Sequence, residues 1–132
     1  MPGARDISGL RVLMLAASYY PRSGGVEKHL RCVARELGAM GLELRIATPR
    51  WEEAWPEVEV VEGVEVTRLS RRMRAGRRQL RPLVDWAQVV HTHDAYPFLK
   101  YYLPYRFRRP TLPVFVTWHG YEGYPIPLEA RV

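Results

Sequence analysis

Three short segments carry the residue types that do chemistry. The first, SYYPRSGG (18–25), sets two adjacent glycines ahead of a periodic apolar run. A helix N-terminus presents unpaired N–H groups and partial positive charge, and both favour anions. Gly24 and Gly25 would remove the side chains that hold a phosphate away, at roughly 1 kcal/mol each relative to alanine. The alternative is a tight strand-to-helix turn with no ligand. The spacing is not the G-x-G-x-x-G of a nicotinamide enzyme, and no acidic residue closes the next strand, which ends Ala47-Thr48-Pro49. Nor does a G-K-[ST] follow, as a P-loop requires.

The second segment is HTHD (91–94). On a strand His91 and His93 share a face, a spacing that suits zinc. The chain offers no cysteine or carboxylate cluster to complete such a set, so the expectation is no metal. His93 or Asp94 is expected to hydrogen-bond a hydroxyl-rich ligand, with His91 a packed histidine. The third segment is WHG (118–120), where His119 is either a ligand contact or a satisfied structural group. His29, on the flank of the first helix, reads as a surface residue. There is no G-x-S-x-G elbow, no Cys–His pair in a shared motif and no close carboxylate pair at the rim, so hydrolysis by those routes is poorly supported.

The elements that must position these residues follow from periodicity. LRVLMLAA (10–17) is the continuous apolar run of a strand buried on both faces. Val26, Leu30, Val33, Ala34 and Leu37 then recur at helical spacing, with Glu27 and Arg31 placed to pair on the wet side. Gly41 stops that helix and LELRIATP (42–49) is a second strand, giving a right-handed βαβ unit. WEEAWPE (51–57) is a loop, and VEVVEGVEVTRL (58–69) predicts a hairpin around Glu62-Gly63. The arginine-rich stretch that follows is expected as loop, then a short helix through Leu83, Val84 and Trp86. AQVVHTHD (87–94) is a strand, residues 96–107 are helical in part between Pro97 and Pro104, and TLPVFVTWHG (111–120) is a last strand. The alternation predicts an α/β fold: a Rossmann-like, doubly wound, mainly parallel sheet with helices on both faces. Ligands in such sheets bind beyond the carboxyl ends of the strands, where all three segments should meet.

Composition narrows the classes. The 132 residues read as one domain, 47% hydrophobic and 26% charged, an ordinary globular balance. No apolar run approaches the ~20 residues of a membrane span, and MPGARDISG is neither a signal peptide nor a lipidation site. Cys32 is the only cysteine, which rules out a disulfide framework and fits a reducing cytoplasm. Arginine outnumbers lysine eighteen to two and asparagine is absent, as expected of a heat-adapted source or a GC-rich genome. The net charge of +6 concentrates in Arg71, Arg72, Arg74, Arg77, Arg78 and Arg81, with Arg106, Arg108 and Arg109 beyond. That cluster suits an anionic partner such as phospholipid head groups, a phosphorylated acceptor or nucleic acid, or else a solvated surface. No RRM or KH signature supports nucleic acid.

Together, YYPRSGGVEKHLRCVARELGAMGLELRIATP, EGVEV, VVHTHDAYPFL and VFVTWHGYEGYP resemble the N-terminal domain of the family-4 retaining glycosyltransferases, which have the GT-B fold. In that family two Rossmann-like domains face across a cleft; the N-terminal one mainly binds acceptor and the C-terminal one the nucleotide sugar. The resemblance implies that Gly24 and chiefly Gly25 offer N–H groups to the donor diphosphate, UDP- or GDP-linked. It implies His119 against the transferred sugar as the catalytic contact, His93 and Asp94 on the acceptor side, and Tyr19, Tyr20 and Tyr96 as acceptor-pocket residues. Neither metal nor further cofactor is implied. Residues 1–132 would be the acceptor-side domain, lacking the donor-binding partner and its E-x7-E segment. Many relatives act on lipid acceptors, so peripheral contact with an anionic cytoplasmic membrane face is a further expectation. The alternative is a non-catalytic acceptor- or membrane-docking subunit that works with a separate donor-binding chain.

Overall fold

The structure is a computed structural model and describes residues 6–118. Among these, six strands form one sheet with helices on both faces. Strand β1 (Arg11–Leu15) is followed by α1 (Gly25–Ala39) and β2 (Glu43–Pro49). The hairpin β3 (Val58–Val61) and β4 (Val64–Leu69) leads to α2 (Met73–Trp86) and β5 (Val89–His93). A helical stretch comes next: α3 (Ala95–Pro97), a π-helical turn (Phe98–Tyr102) and α4 (Leu103–Arg108), before β6 (Val114–Thr117).

The strand order is β3-β4-β2-β1-β5-β6, and every pairing is parallel except β3 with β4. From β1 the chain builds outward to β2 and β4, then returns to the other side of β1 for β5 and β6. The switch point thus lies between the carboxyl ends of β1 and β5, where an open α/β sheet leaves its crevice.

The inner parallel strands bury alternate residues in opposite cores. Val12, Met14, Ala16, Ile46 and Val66 meet Leu30 and Ala34 of α1. On the other face Leu13, Leu15, Ala47, Leu69 and Val90 meet Leu80, Leu83 and Val84 of α2 with Tyr101, Tyr102 and Tyr105. Gly41 (φ +89) ends α1: its N–H donates to the Gly38 carbonyl and that of Leu42 to the Leu37 carbonyl, the two bonds of a Schellman motif. Glu62 (φ 51) and Gly63 (φ 81) make the left-handed two-residue turn that a twisted hairpin favours.

Two expectations differ. Arg31 pairs not with Glu27 but with Glu62 at the hairpin turn, so the ion pair joins α1 to the sheet edge. The arginine run is mostly helix, because α2 starts at Met73. Its buried stripe includes Gly76, where a Cβ would stand 2.4 Å from Tyr101 Cε1 and 2.5 Å from the Ser70 carbonyl oxygen. The glycine serves a close approach between α2 and the segment carrying Tyr101. The following helical stretch survives Pro104 by a related device. Proline has no N–H for the carbonyl four residues back, and Arg77 Nε donates to that Lys100 carbonyl at 2.8 Å.

Candidate functional site

The β1–α1 loop forms one wall of the crevice. Its Tyr20 carbonyl accepts from Arg68 (2.9 Å), a guanidinium with no exposed surface that also donates to the Pro56 carbonyl (2.9 Å) and pairs with Glu59 (2.7 Å). Trp51 holds the base of the loop from β2, its indole N–H donating to the Ala17 carbonyl at 2.7 Å. The Tyr20–Pro21 bond is cis.

Gly24 is the N-cap of α1 and has extended backbone, so neither it nor the helical Gly25 needs a glycine for its φ. A Cβ at Gly25 would meet nothing within 4 Å. Packing therefore does not require that glycine either; its effect is an uncovered approach to the first-turn N–H groups, which no side chain caps. In front of Gly24 lies the Glu27 carboxylate, 2.8 Å from where a Cβ would be. That carboxylate is an internal anion at the positive end of α1.

His91, His93 and Asp94 stand at the carboxyl end of β5, across the switch point from that loop. His91 and His93 share the α1 face of β5, with ring centroids 4.3 Å apart, and His91 Nε2 lies 2.6 Å from Thr117 Oγ1 of β6. His93 is buried, and its ring stands 6.3 Å from the exposed His29 on α1. Among the described residues no three His, Cys, Asp or Glu side chains are grouped to hold a metal.

Asp94 has φ 66 and ψ 171, a region occupied almost solely by glycine and costing an L-residue about 1–3 kcal/mol. Its N–H donates to the Thr117 carbonyl (2.8 Å) and its carbonyl accepts from Thr92 Oγ1 (3.2 Å), so β5 and β6 hold it there. Strain of this kind concentrates at functional sites.

The other sequence-derived candidates divide. Tyr20 and Tyr96 are exposed at the rim side of their strands, and the Tyr96 hydroxyl accepts from Lys100 Nζ at 3.0 Å. Tyr19 does not join them: it is 2% exposed, and it lines a separate concavity of about 710 Å³ with Arg31, Glu62 and Val64. Burial raises its pKa, reinforced by the Glu62 carboxylate and opposed by Arg31. Arg72, Arg74, Arg78 and Arg81 are exposed, whereas Arg77 is turned inward onto the Lys100 and Leu99 carbonyls. Arg71 lies over Trp51. His119 falls outside the described residues, immediately after Trp118 beyond β6.

Sequence reasoning missed Arg68, Trp51 and Arg22. Arg68 shares the face of Val64 and Val66 in β4, so alternation points it inward, but an arginine near a strand end reads as solvated. Trp51 lay in a segment read only as loop.

With that geometry in place, the family model for Glycosyltransferase Family 4 matches residues 23–131. The chain belongs to glycosyltransferase family 4. The matched span covers Gly24, α1, the hairpin, α2, β5 and β6, and so takes in the glycine turn and the His91–Asp94 segment but not Tyr20 or Arg22. The family-4 chain is also similar in structure to sucrose-phosphate synthase from Thermosynechococcus elongatus. The TM-score is 0.61 at 14% identity, over 85% of this chain and 33% of that one. At that identity the likeness shows the fold alone, a Rossmann-like α/β sheet similar to part of a GT-B glycosyltransferase, and the family-4 chain spans about a third of the synthase's length. A search of curated proteins by sequence found no match.

Proposed function

We propose that this family-4 chain is the acceptor-side half of a retaining glycosyltransferase. It would move a sugar from a UDP- or GDP-linked donor to a hydroxyl acceptor, with lipid-linked acceptors included. The observation that carries the reading is the uncovered approach to α1 at Gly25, at the crevice where the sheet reverses. Gly24 and Gly25 supply N–H groups to the donor diphosphate, and no metal is called for. His119 contacts the transferred sugar, Asp94, Tyr20 and Tyr96 face the acceptor, and the buried His93 backs the acceptor side from β5. The donor's remaining contacts belong to a second domain or chain. The strained backbone of Asp94 supports a role beyond packing.

The test is a titration of UDP and GDP into the isotope-labelled chain, with uridine and guanosine as phosphate-free controls. The diphosphates are expected to shift the Gly24 and Gly25 amides, weakly, and the nucleosides are not. Equal shifts from both would overturn the diphosphate assignment.

Arg72 at the N-cap of α2 and Arg74, Arg78 and Arg81 on it, together with Phe107 (78% exposed) on α4, support contact with an anionic membrane surface. Among the described residues no helix is long and apolar enough to cross a membrane. Binding to anionic vesicles should be strong at low salt and weak at high salt. Absence of binding at low salt removes this part of the reading.

A further inference from the structure

We propose that Arg22 and Arg71, mounted on Trp51, form a subsite for a phosphomonoester carried by the acceptor; this rests on the acceptor-side reading above. Trp51 stands at the carboxyl end of β2, anchored by its bond to the Ala17 carbonyl. The Arg22 guanidinium carbon is 5.0 Å from its ring centroid and that of Arg71 is 5.6 Å away. One arginine comes from the β1–α1 loop and the other from the segment between β4 and α2, so three strand ends meet at this ring.

What sets the pair apart is unspent hydrogen-bonding capacity combined with one shared indole support, whereas the exposed Arg72, Arg74, Arg78 and Arg81 lie over no aromatic ring among the described residues. Most other arginines close to the body of the domain are committed. Arg11, Arg50, Arg77, Arg106 and Arg109 donate to backbone carbonyls. Arg31, Arg45 and Arg68 pair with Glu62, Glu65 and Glu59. Neither Arg22 nor Arg71 has a carboxylate within salt-bridge distance or a hydrogen-bond acceptor among the described residues. Stacking on an indole face orients a guanidinium and leaves its N–H edge free to fork onto an oxyanion.

Two such forks match a ligand with three acceptor oxygens and a charge near −2, which describes a phosphomonoester better than a carboxylate or a neutral hydroxyl. The site lies on the β2 side of the glycine turn, away from His93 and Asp94 across β1. An acceptor whose hydroxyl faces β5 would therefore extend over the β1–α1 loop to place its phosphate here.

The experiment follows the Trp51 indole N–H and the Arg22 and Arg71 Nε–H resonances of the labelled chain. Glycerol 3-phosphate is the probe and glycerol the control, with Arg35→Ala as a distant arginine variant. Glycerol 3-phosphate is expected to shift all three resonances and glycerol none. Arg22→Ala and Arg71→Ala should each weaken binding about tenfold. The lysine variants, which keep the charge and lose the fork, should show a smaller loss, and Arg35→Ala none. No shift at Trp51, or a loss as large from the Arg74→Ala/Arg78→Ala double variant, overturns the subsite in favour of a diffuse basic surface.

Vesicles carrying phosphatidic acid separate the two sources of a phosphomonoester. Vesicle binding that depends on Arg22 and Arg71 assigns a lipid head group; binding of the soluble phosphate alone assigns a soluble acceptor. A sugar-transfer assay with the donor-binding half present separates the two proposals. Phosphate binding without any transfer overturns the acceptor assignment. Transfer that ignores both arginines overturns the subsite and leaves the function standing.

Discussion

The guanidinium of Arg68 donates to the carbonyl oxygen of Tyr20 at 2.9 Å, from a position with no solvent exposure. The end of β4 is thereby bolted to the loop that delivers Gly24 and Gly25. Replacing Arg68 with methionine keeps much of the volume but leaves two carbonyls and Glu59 without their donor. The expected loss is about 3 kcal/mol, read by urea denaturation, with faster amide exchange through residues 18–25. Arg68→Lys should recover only part of it.

Asp94→Gly removes the conformational strain at the end of β5. Offset by glycine's extra unfolded-state entropy, the net gain should be about 1 kcal/mol. Calorimetry is expected to show a higher Tm, while sugar transfer by the two-domain enzyme falls. A variant that is both less stable and fully active would contradict the functional reading of that strain.

Two glycines on helices should respond in opposite directions. Gly25→Ala meets open space and should stabilise by about 0.4–1 kcal/mol, yet weaken binding of a nucleoside diphosphate. Gly76→Ala drives a methyl into Tyr101 and the Ser70 carbonyl and should cost about 1–3 kcal/mol. Denaturation curves for both, with calorimetric titration of UDP for the first, check the pair.

Glu27 places a carboxylate where an anionic ligand would approach α1. Glu27→Gln should remove a favourable charge–dipole interaction of about 0.3–1 kcal/mol. The same change should tighten UDP binding about two- to fivefold. Unchanged binding would place the diphosphate away from this turn.

Burial raises the pKa of Tyr19, Tyr101, Tyr102 and Tyr105 above the usual value of about 10. For Tyr19 and Tyr101 nearby acidic groups add to the effect. The unfolded chain releases these protons first as pH rises, so their contribution is complete below pH 10 and declines above it. Phenolate absorbance should appear together with loss of helix signal in an alkaline titration. Phenolate formation by all eight tyrosines before unfolding would contradict this.

Much of the fold was legible because parallel strands buried on both faces announce themselves as apolar runs, and Gly41 and Glu62-Gly63 mark turns by backbone requirement. The glycine turn and the HTHD strand end were legible for the same reason. Less so were contacts that depend on which side chain reaches across the fold. Tyr19 looks like its neighbour Tyr20 in sequence, yet the loop turns one under α1 and leaves the other in solvent. The start of α2 was hidden because a buried stripe containing Gly76 carries too little apolar signal beneath six arginines. Arg68 was hidden because its acceptors come from distant segments, although alternation already sets it on the inward face with Val64 and Val66.

The bond from Arg77 to the Lys100 carbonyl has an evolutionary corollary. Pro104 creates an orphan acceptor and Arg77, on another helix, adopts it, so each residue's tolerance for change depends on the other. A lineage that replaces Pro104 regains the helical N–H and frees Arg77 to drift, whereas losing Arg77 first exposes the defect. The two positions should be epistatic, their combined substitution milder than the sum of its parts, and the permitted order of mutation runs through the proline.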